Sequence, residues 1–285
     1  MTLANIKAWR SKAAVGRLAG RFLEVFGGCW LLLEPLALWR PEDLRWGIWG
    51  YFWLAVASLV VAVFWAWPKN TIIRKLPASD TKIAIGVGDL LDQRGNIIIG
   101  CTDVFDTELG DVIAPSSIQG QFQTRVIHQK ERLDQAIYDD LQHRVECRTD
   151  EQKPRGKKER YPIGTVAMVE ANGNRYFLVA YSRMRNDMRV ESDICKLSTS
   201  LNECWEAIRA RGQQDPVHMG IVGSARARIG LSRALLLQFI VLSFLDAERK
   251  ESLTSQLNIH IHENDAEHID FVDLEAWLNG LTRTA

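Results

Sequence analysis

The chain has 285 residues, with 35 basic and 35 acidic side chains, so its formal net charge is zero. This length suits one sizeable α/β domain and a smaller unit, and zero net charge gives no bulk attraction to nucleic acid, so no nucleic-acid partner is expected. The five cysteines have neither zinc-finger spacing nor the pattern of a disulfide framework, which indicates a reducing compartment.

The first 67 residues predict a basic arm and a membrane hairpin. Residues 1–21 contain five basic side chains and no acid, which suits a cytoplasmic flank or a membrane-surface helix. Two apolar segments follow, at about 22–39 and 47–67. The second is uncharged and has tryptophans at both ends, and at about 1.5 Å per residue it matches a hydrocarbon core of roughly 30 Å. We therefore expect a two-pass protein of the cell membrane, in contact with lipid and with both termini in the cytoplasm.

Two questions about this hairpin stay open at the level of sequence. A soluble domain with a buried helical hairpin would show a similar apolar pattern. Glu34, in the first segment, would line a pore or a seam between subunits, or would reach the outer membrane interface.

Residues 68–79 predict a linker, and residues 80–285 predict a cytoplasmic α/β domain. Alternating apolar residues at 83, 85 and 87 indicate a strand, and the apolar run 96–99 indicates one buried on both faces. Helical spacing occurs at 123–144 (with one break), 194–211, 231–245 and 271–281, and strand-like runs occur at 161–170, 175–181, 217–222 and 257–262. The basic loop 153–160 is expected to be solvated or to contact anionic lipid headgroups.

Glycines and small polar residues follow two of the buried strands. Such residues at the carboxyl end of a strand are typical of a nucleotide crevice, because the backbone must approach the ligand closely. After the strand 217–222, the stretch up to Gly230 offers glycines and backbone amides immediately before a helix, which predicts a pyrophosphate cradle. Arg226 and Arg228 would add charge-assisted contacts to this ligand.

The order of a strand, Gly88-Asp89-Leu90, a buried strand and a polar loop resembles the start of a macro domain, the ADP-ribose-binding module. The asparagine-rich signature that usually follows the buried strand is replaced by residues 100–103, and the usual glycine run is replaced by residues 114–120. With its two preceding membrane segments, nearly the whole chain is similar to the ThsA effectors of type II Thoeris anti-phage defence. The resemblance implies a three-layer α/β/α macro-like domain behind a transmembrane hairpin.

The resemblance also implies a ligand and a mechanism. The ligand would be an ADP-ribose conjugate, of the histidine-ADP-ribose type that is the family's known signal, made by a partner TIR-domain enzyme. Binding would drive homo-oligomerisation, disrupt the membrane and cause abortive infection, without any further cofactor.

The matching positions suggest how that ligand would lie. Asp89 would accept from the adenine amino group, and the phosphates would lie over the loops 116–120 and 220–230. Thr102, Asp103 and Asp106 would contact the distal ribose and its substituent. The candidate ligand-binding residues are Asp89, Leu90, Thr102, Asp103, Asp106, Ser116, Ser117, Ile118, Gln119, Gly120, Gly220, Val222, Gly223, Ser224, Ala225, Arg226, Arg228, Ile229 and Gly230.

We expect a sensor rather than an enzyme, because the chain suggests no Ser-His or Cys-His pairing for an activated nucleophile. The alternative is a membrane-tethered ADP-ribosyl hydrolase, against which the departure at 100–103 argues. A transporter or channel would need many copies, since two spans are too few. Residue types that bind metals occur at the end of the strand 257–262 and directly after it, but their spacing fixes no third ligand, so no metal site is expected. These residues are His260, His262, Glu263, Asp265 and His268.

Overall fold

The computed structural model describes residues 12–39, 48–65, 71–77, 79–223, 229–266 and 268–283. The chain divides into two compact units, one formed by residues 1–70 with 270–273 and the other by residues 71–269 with 274–285. The N-terminal unit contains helices α1 (Lys12–Trp39) and α2 (Ile48–Trp65). The two helices pack against each other, and the rings of Trp30 and Tyr51 lie 5.6 Å apart between their centroids.

A pair of helices is therefore present where the sequence predicts a hairpin. Within the described ranges, however, no helix is long and apolar enough to cross a membrane. The predicted membrane spans at 22–39 and 47–67 are thus not supported by the structure. Most of the predicted basic arm, residues 1–11, lies outside the described residues, and the rest of it belongs to α1.

The second unit is built on one large mixed sheet. Its strands are β1 (Thr71–Lys75), β2 (Lys82–Val87), β3 (Asn96–Thr102), β6 (Val166–Ala171), β7 (Asn174–Met184), β8 (Val190–Glu191), β9 (Val217–Gly220) and β10 (Gln256–Ile261). The strand order is β1-β2-β10-β9-β3-β7-β6, and β8 pairs with β7. The five central strands, from β2 to β7, are parallel, whereas β1 and β6 are antiparallel to their neighbours. A separate two-stranded sheet joins β4 (Arg148–Thr149) to β5 (Glu159–Arg160).

Helices cover both faces of the large sheet, so the prediction of an α/β domain with helices on both faces is confirmed. They are α3 (Ile118–Phe122), α4 (Lys130–Leu141), α5 (Ile194–Arg211), α6 (Arg233–Lys250), α7 (Glu263–Ala266) and α8 (Phe271–Arg283). Ile97 of β3 packs with Leu133 of α4 in one buried cluster. Phe177 of β7 points to the opposite face, where the guanidinium of Arg211 at the end of α5 lies 5.8 Å from its ring centroid. Coverage on both faces explains why β3 is apolar without alternation.

The predicted break in the helix 123–144 is also present. A π-helical turn (Gln123–Ile127) ends at His128, which has a φ of 63°, and α4 begins two residues later. This left-handed residue stops the intrahelical hydrogen-bond pattern and redirects the chain.

Two segments differ from their sequence predictions, and the first is the predicted linker 68–79. Its residues 71–75 form β1, which pairs with β2, so the sheet begins at residue 71 rather than after residue 80. Ile72 supplies the inward side chain of this edge strand and is 2 % exposed. One buried side chain in five residues is too short a pattern to predict a strand from periodicity.

The second is the predicted solvated loop 153–160, which belongs to what we call the basic hairpin, residues 148–160. The Lys153 side chain is fully buried, and its Nζ lies 2.9 Å from Oδ2 of Asp106. Arg160 donates from Nη1 to Oδ2 of Asp103 over 2.9 Å. Gly156 has a φ of +71°, and a Cβ there would lie 2.1 Å from Oδ1 of Asp106, so only glycine allows this close approach. The basic hairpin is thus packed onto the loop that follows β3.

Replacing Lys153 with Met should lower the free energy of unfolding by about 3–5 kcal/mol, because the substitution leaves the buried Asp106 carboxylate without its cation. Lys158→Met is the matched control, since Lys158 pairs with Glu151 on the surface, and it should change stability by less than about 1 kcal/mol. Urea unfolding of both variants measures the difference. Equal stabilities would show that the buried pair does not hold the basic hairpin in place.

Candidate functional site

The candidate site lies at the carboxyl ends of β3 and β9. These neighbouring strands are parallel, with Ile97 opposite His218, so both end at the same edge of the sheet. After β3 the next strands of the large sheet, β6 and β7, lie on one side, and after β9 the next strand, β10, lies on the other. Two parallel strands whose connections leave in opposite directions open a crevice between their loops, which is where α/β sheets bind ligands.

Near the carboxyl end of β3, an aromatic ring lies above a glycine. A β-bulge opposite Cys101 and Thr102 leaves Tyr181 unpaired between Ala180 and Ser182. A Cβ on Gly100 would lie 2.7 Å from Cε1 of Tyr181 and 3.3 Å from Cγ1 of Val222, so the ring fits only above a glycine. Burial raises the pKa of Tyr181 to about 12, which keeps its hydroxyl protonated at neutral pH.

In the loop after β9 the structure describes residues 221–223 and 229 onwards, and two of its glycines have positive φ values. Gly220 ends the strand, and Gly223 and Gly230 have φ values of +87° and +80°. A Cβ on Gly223 would lie 2.5 Å from Cδ1 of Ile229, so the Ile229 side chain packs closely against this glycine. The remaining candidates of this loop lie outside the described residues, and their contacts stay predictions: Ser224, Ala225, Arg226 and Arg228.

The loop 114–120 is a tight, capped turn. Ser117 accepts from the Gly120 amide over 3.1 Å and donates to the Ala114 carbonyl over 2.7 Å, which caps α3. A Cβ on Gly120 would lie 2.3 Å from the same carbonyl oxygen, so this glycine serves packing. Gln119 donates to the Asp106 backbone carbonyl, whereas Ser116 is exposed. Ile118 packs partly buried against the core.

The candidate aspartates 103 and 106 are committed to the protein itself. Asp103 accepts from the Met184 amide over 2.8 Å and from Arg160, and Asp106 accepts from the Lys157 amide over 2.6 Å and from Lys153. Their exposures are 4 % and 1 %. Burial raises the pKa of Asp106, although Lys153 and the Lys157 amide oppose that rise. The predicted contacts of these two carboxylates with a distal ribose are therefore not supported.

Thr102 and Leu90 complete the positions predicted from the sequence. Thr102 is half-buried as the last residue of β3, directly beside the crevice. Leu90 is 4 % exposed and belongs to the core cluster that also contains Ile97, so its side chain supports the sheet.

Asp89 is held at the end of β2 by an arginine that the sequence did not single out. Its Oδ1 accepts from the Leu91 amide over 2.9 Å, and its Oδ2 accepts from Arg125 over 2.7 Å. Arg125 also donates to Asp92 over 2.7 Å. Burial tends to raise the pKa of Asp89, but Arg125 and the Leu91 amide outweigh it and hold the pKa below its ordinary value. With 40 % of the side chain exposed, Asp89 is an ionised acceptor at the surface.

A pair of histidines near the same edge was also missed. Nδ1 of His218 in β9 lies 3.0 Å from Nε2 of His260 in β10, with the rings stacked 5.3 Å apart. Burial, followed by the neighbouring ring, lowers the pKa of His218 to about 4, and burial also lowers that of His260. His260 thus pairs with a histidine of the neighbouring strand. No group of three or more metal-ligating side chains suited to a metal ion is present in the part of the chain that the structure describes.

A mixed α/β sheet covered by helices on both faces, with glycine-containing loops at the carboxyl ends of two central strands, is found in macro domains, and comparison with solved structures shows that this chain has the macro-domain fold. The fold is similar to the macrodomain of Oceanobacillus iheyensis, solved as a point mutant and in a form with ADP. Each has a TM-score of 0.51 and 9% sequence identity, and the similarity covers 74% of this chain and 100% of that chain.

Residues 83–262 match the family described as "Thoeris protein ThsA, Macro domain", and the chain belongs to this family. It is also similar to the Thoeris protein ThsA of Bacillus amyloliquefaciens (strain Y2). The two are 27% identical over 223 residues, which cover 74% of this chain and 72% of that protein. The resemblance found in the sequence is thereby confirmed.

The buried histidine pair predicts a stability that falls between pH 6.5 and pH 4. The unfolded chain binds a proton at His218 near its ordinary pKa of 6.5, whereas the folded chain binds it only near 4, so acid favours unfolding. From pH 7 to pH 5 this histidine should reduce the free energy of unfolding by about 2 kcal/mol.

Urea unfolding at both pH values, compared between the parent protein and His218→Gln, measures this contribution. The variant should lose less stability on acidification. His143→Gln, at an exposed position, is the control and should behave like the parent. Identical losses in all three proteins would contradict the assignment.

Proposed function

We propose that this protein is a ligand-sensing effector of Thoeris anti-phage defence whose macro domain binds an ADP-ribose-derived nucleotide. The observation that supports this best is the switch point between β3 and β9, where the chain after β9 has glycines with positive φ values at positions 223 and 230. Backbone amides in such a loop suit a pyrophosphate because they offer donors without side-chain obstruction. Membership of the ThsA family and the solved macrodomain with ADP agree with a nucleotide ligand.

In the proposed complex the pyrophosphate lies over the loop 220–230 and the adenine lies beside Asp89. The distal ribose then points toward the end of β3, where Thr102 is half-buried. Asp103 and Asp106 do not contact the ligand in this complex. They bind the basic hairpin, which shapes this end of the crevice. We propose an ADP-ribose conjugate of the histidine-ADP-ribose type, supplied by a TIR-domain enzyme, as the signal.

We propose further that the ligand is bound without being turned over. Burial raises the pKa of Cys101 to about 12, so its thiol stays protonated and a poor nucleophile. The Tyr181 hydroxyl is protonated for the same reason, and Asp103 and Asp106 are engaged in internal ion pairs. Hydrolysis would need a base close to the distal ribose, and these four side chains do not provide one.

Replacing Gly220 with Val should weaken nucleotide binding at least about tenfold while the fold is kept, because the new side chain stands where the strand meets the phosphate loop. Gly220 suits this test better than Gly223. The nearest atom to a Gly220 Cβ is 3.8 Å away, whereas at Gly223 a side chain would meet Ile229 and a φ of +87°. A Leu at Gly223, the direct choice from the sequence, would therefore strain the loop itself.

Calorimetry of the full chain with ADP-ribose and its histidine conjugate, together with circular dichroism, measures this effect. Unchanged affinity in a folded Gly220→Val protein would contradict the phosphate-loop assignment. The ligands recovered after titration should be intact by mass spectrometry. Steady release of free ADP-ribose from the conjugate would support the hydrolase instead.

The helices α1 and α2 carry the second part of the proposal. They expose many large apolar side chains, including Leu23, Leu31, Leu32, Trp49, Phe52, Trp53, Val60, Phe64 and Trp65. Exposed apolar surface of this extent is unfavourable in water and marks a surface that contacts lipid or protein. We propose that this surface contacts the cell membrane and that both termini of the chain lie in the cytoplasm. Ligand binding would favour an oligomer whose helices together disrupt the bilayer, provided that the oligomer binds ligand more tightly than the resting form.

Replacing Leu32 and Phe64 together with Asn should reduce leakage from lipid vesicles at least about tenfold, because both side chains are among the most exposed apolar groups of these helices. Binding of the histidine conjugate should be unchanged. Leu242→Asn, at an exposed apolar position of α6, is the control, and vesicles with this variant should leak as much as vesicles with the parent protein. Dye release on adding the conjugate measures the effect, and equal leakage from all three proteins would remove the membrane from the proposed mechanism.

A further inference from the structure

A cavity of about 250 Å³ lies near the amino ends of β3 and β7. Its lining residues belong to the segments 91–94, 125–126 and 172–176. Tyr176, one of them, pairs with Ile97, the second residue of β3. Because the candidate nucleotide site lies at the carboxyl end of β3, this cavity is at the opposite end of the same strand and is a different site.

Hydrogen bonds and a tight turn fix the walls of this cavity. The Asn174 side chain accepts from the Gly95 amide over 3.0 Å and donates to the Gln93 carbonyl over 3.1 Å, so it ties the start of β7 to the segment before β3. Asn172 and Gly173 have φ values of +52° and +76°, as in a two-residue hairpin turn of type I′. A preformed polar cavity binds a small molecule without the cost of ordering its walls.

One cation of the cavity has no carboxylate partner. The lining contains the arginines 94 and 125 and one carboxylate, Asp92. Arg125 is already paired with Asp92 and, outside the lining, with Asp89, each over 2.7 Å. The exposed guanidinium of Arg94, by contrast, forms no ion pair with any carboxylate that the structure describes. The cavity therefore offers a free positive charge to an anion.

A buried tyrosine supplies a second donor. Tyr176 is only 1 % exposed, and its ring lies against that of Phe122 with the centroids 4.5 Å apart. Its hydroxyl oxygen accepts from Nδ2 of Asn174, another lining residue, over 3.4 Å. The hydroxyl donates no hydrogen bond to any residue that the structure describes. Since buried hydroxyls normally donate, this one is expected to donate to a molecule in the cavity.

We propose that this cavity binds the phosphate group of a small molecule, which is inorganic phosphate or a phosphate monoester. The Arg94 guanidinium presents parallel N–H bonds that match two oxygens of a phosphate, and the Tyr176 hydroxyl donates to a third. A volume of about 250 Å³ corresponds to about eight water molecules. It holds a phosphate and a short ester group, whose hydroxyls the Asn172 side chain can bind. This inference goes beyond the proposed function and does not depend on it.

Equilibrium dialysis of the full chain with labelled inorganic phosphate tests the proposal. Saturating ADP-ribose is present throughout, so that phosphate does not enter the candidate nucleotide site. The parent protein should bind about one phosphate per chain with a Kd of about 1 mM or lower. Sodium chloride at equal ionic strength should not displace it, whereas glycerol 3-phosphate should, and the more effective of the two phosphates identifies the free ion or the monoester as the ligand.

Three variants assign the binding to this cavity. Arg94→Gln should weaken phosphate binding at least about tenfold, because a charged donor is lost. Tyr176→Phe keeps the ring and should weaken it by about threefold to tenfold, because only the hydroxyl is lost. Arg183→Gln makes the same charge change at an exposed position near the other end of β7 and should bind phosphate like the parent protein.

The absence of saturable phosphate binding to the parent protein would refute this site, and so would full retention of binding by folded Arg94→Gln. If Tyr176→Phe fails to fold, Arg94→Gln decides, because its side chain is exposed and lies outside the core. ADP-ribose binding is measured in the same samples. If ADP-ribose does not bind, the nucleotide proposal fails, and the comparison of Arg94→Gln with Arg183→Gln still decides whether phosphate binds in this cavity.

Discussion

The parallel pairing of β3 with β9 is the constraint on which the candidate site depends. These strands are far apart in the sequence, and only their pairing brings the loop after Thr102 and the loop after Gly220 to one edge. Register matters as much as adjacency. A shift of one residue along β9 would turn His218 and Gly220 to the opposite face, and would remove both the histidine pair and the open strand end. The same pairing sets Val222 beside Gly100, where it meets the ring of Tyr181.

Charge burial decides which polar residues at this edge are available to a ligand. A carboxylate that leaves water needs a cation and several donors, and Asp103 and Asp106 obtain both from the basic hairpin and from backbone amides. They are therefore structural in spite of following directly on a crevice strand. Asp89 differs because its side chain stays partly exposed while Arg125 keeps it ionised. Exposure, more than position in the sequence, separates the acid that is proposed to contact the ligand from the two structural acids.

Periodicity in the sequence predicts the elements of the macro domain well, because each helix and strand shows its buried face in its own residues. The helix 194–211 and the break before α4 follow from such local patterns. The sequence around a residue does not indicate which residue of a distant segment it will contact. Neither the pairing of Lys153 with Asp106 nor that of His218 with His260 can be deduced from spacing, since each depends on how distant segments dock. Of the candidate site, the glycines of the β9 loop were predictable because backbone freedom leaves a residue-type signature.

The docking of the basic hairpin also affects the susceptibility of this protein to proteases. Residues 153–160 contain five basic side chains, a density that makes the segment a rich trypsin substrate when it is unfolded. In the folded protein Lys153 is fully buried and Arg160 is held by Asp103 and Asp150. Cleavage after Lys153 or Arg160 requires these side chains to leave their ion pairs, whereas Arg155 lies exposed in the connecting segment. The ion pairs of Lys153 and Arg160 are thus expected to protect these two positions from a trypsin-like protease, and this protection is lost when the pairs open.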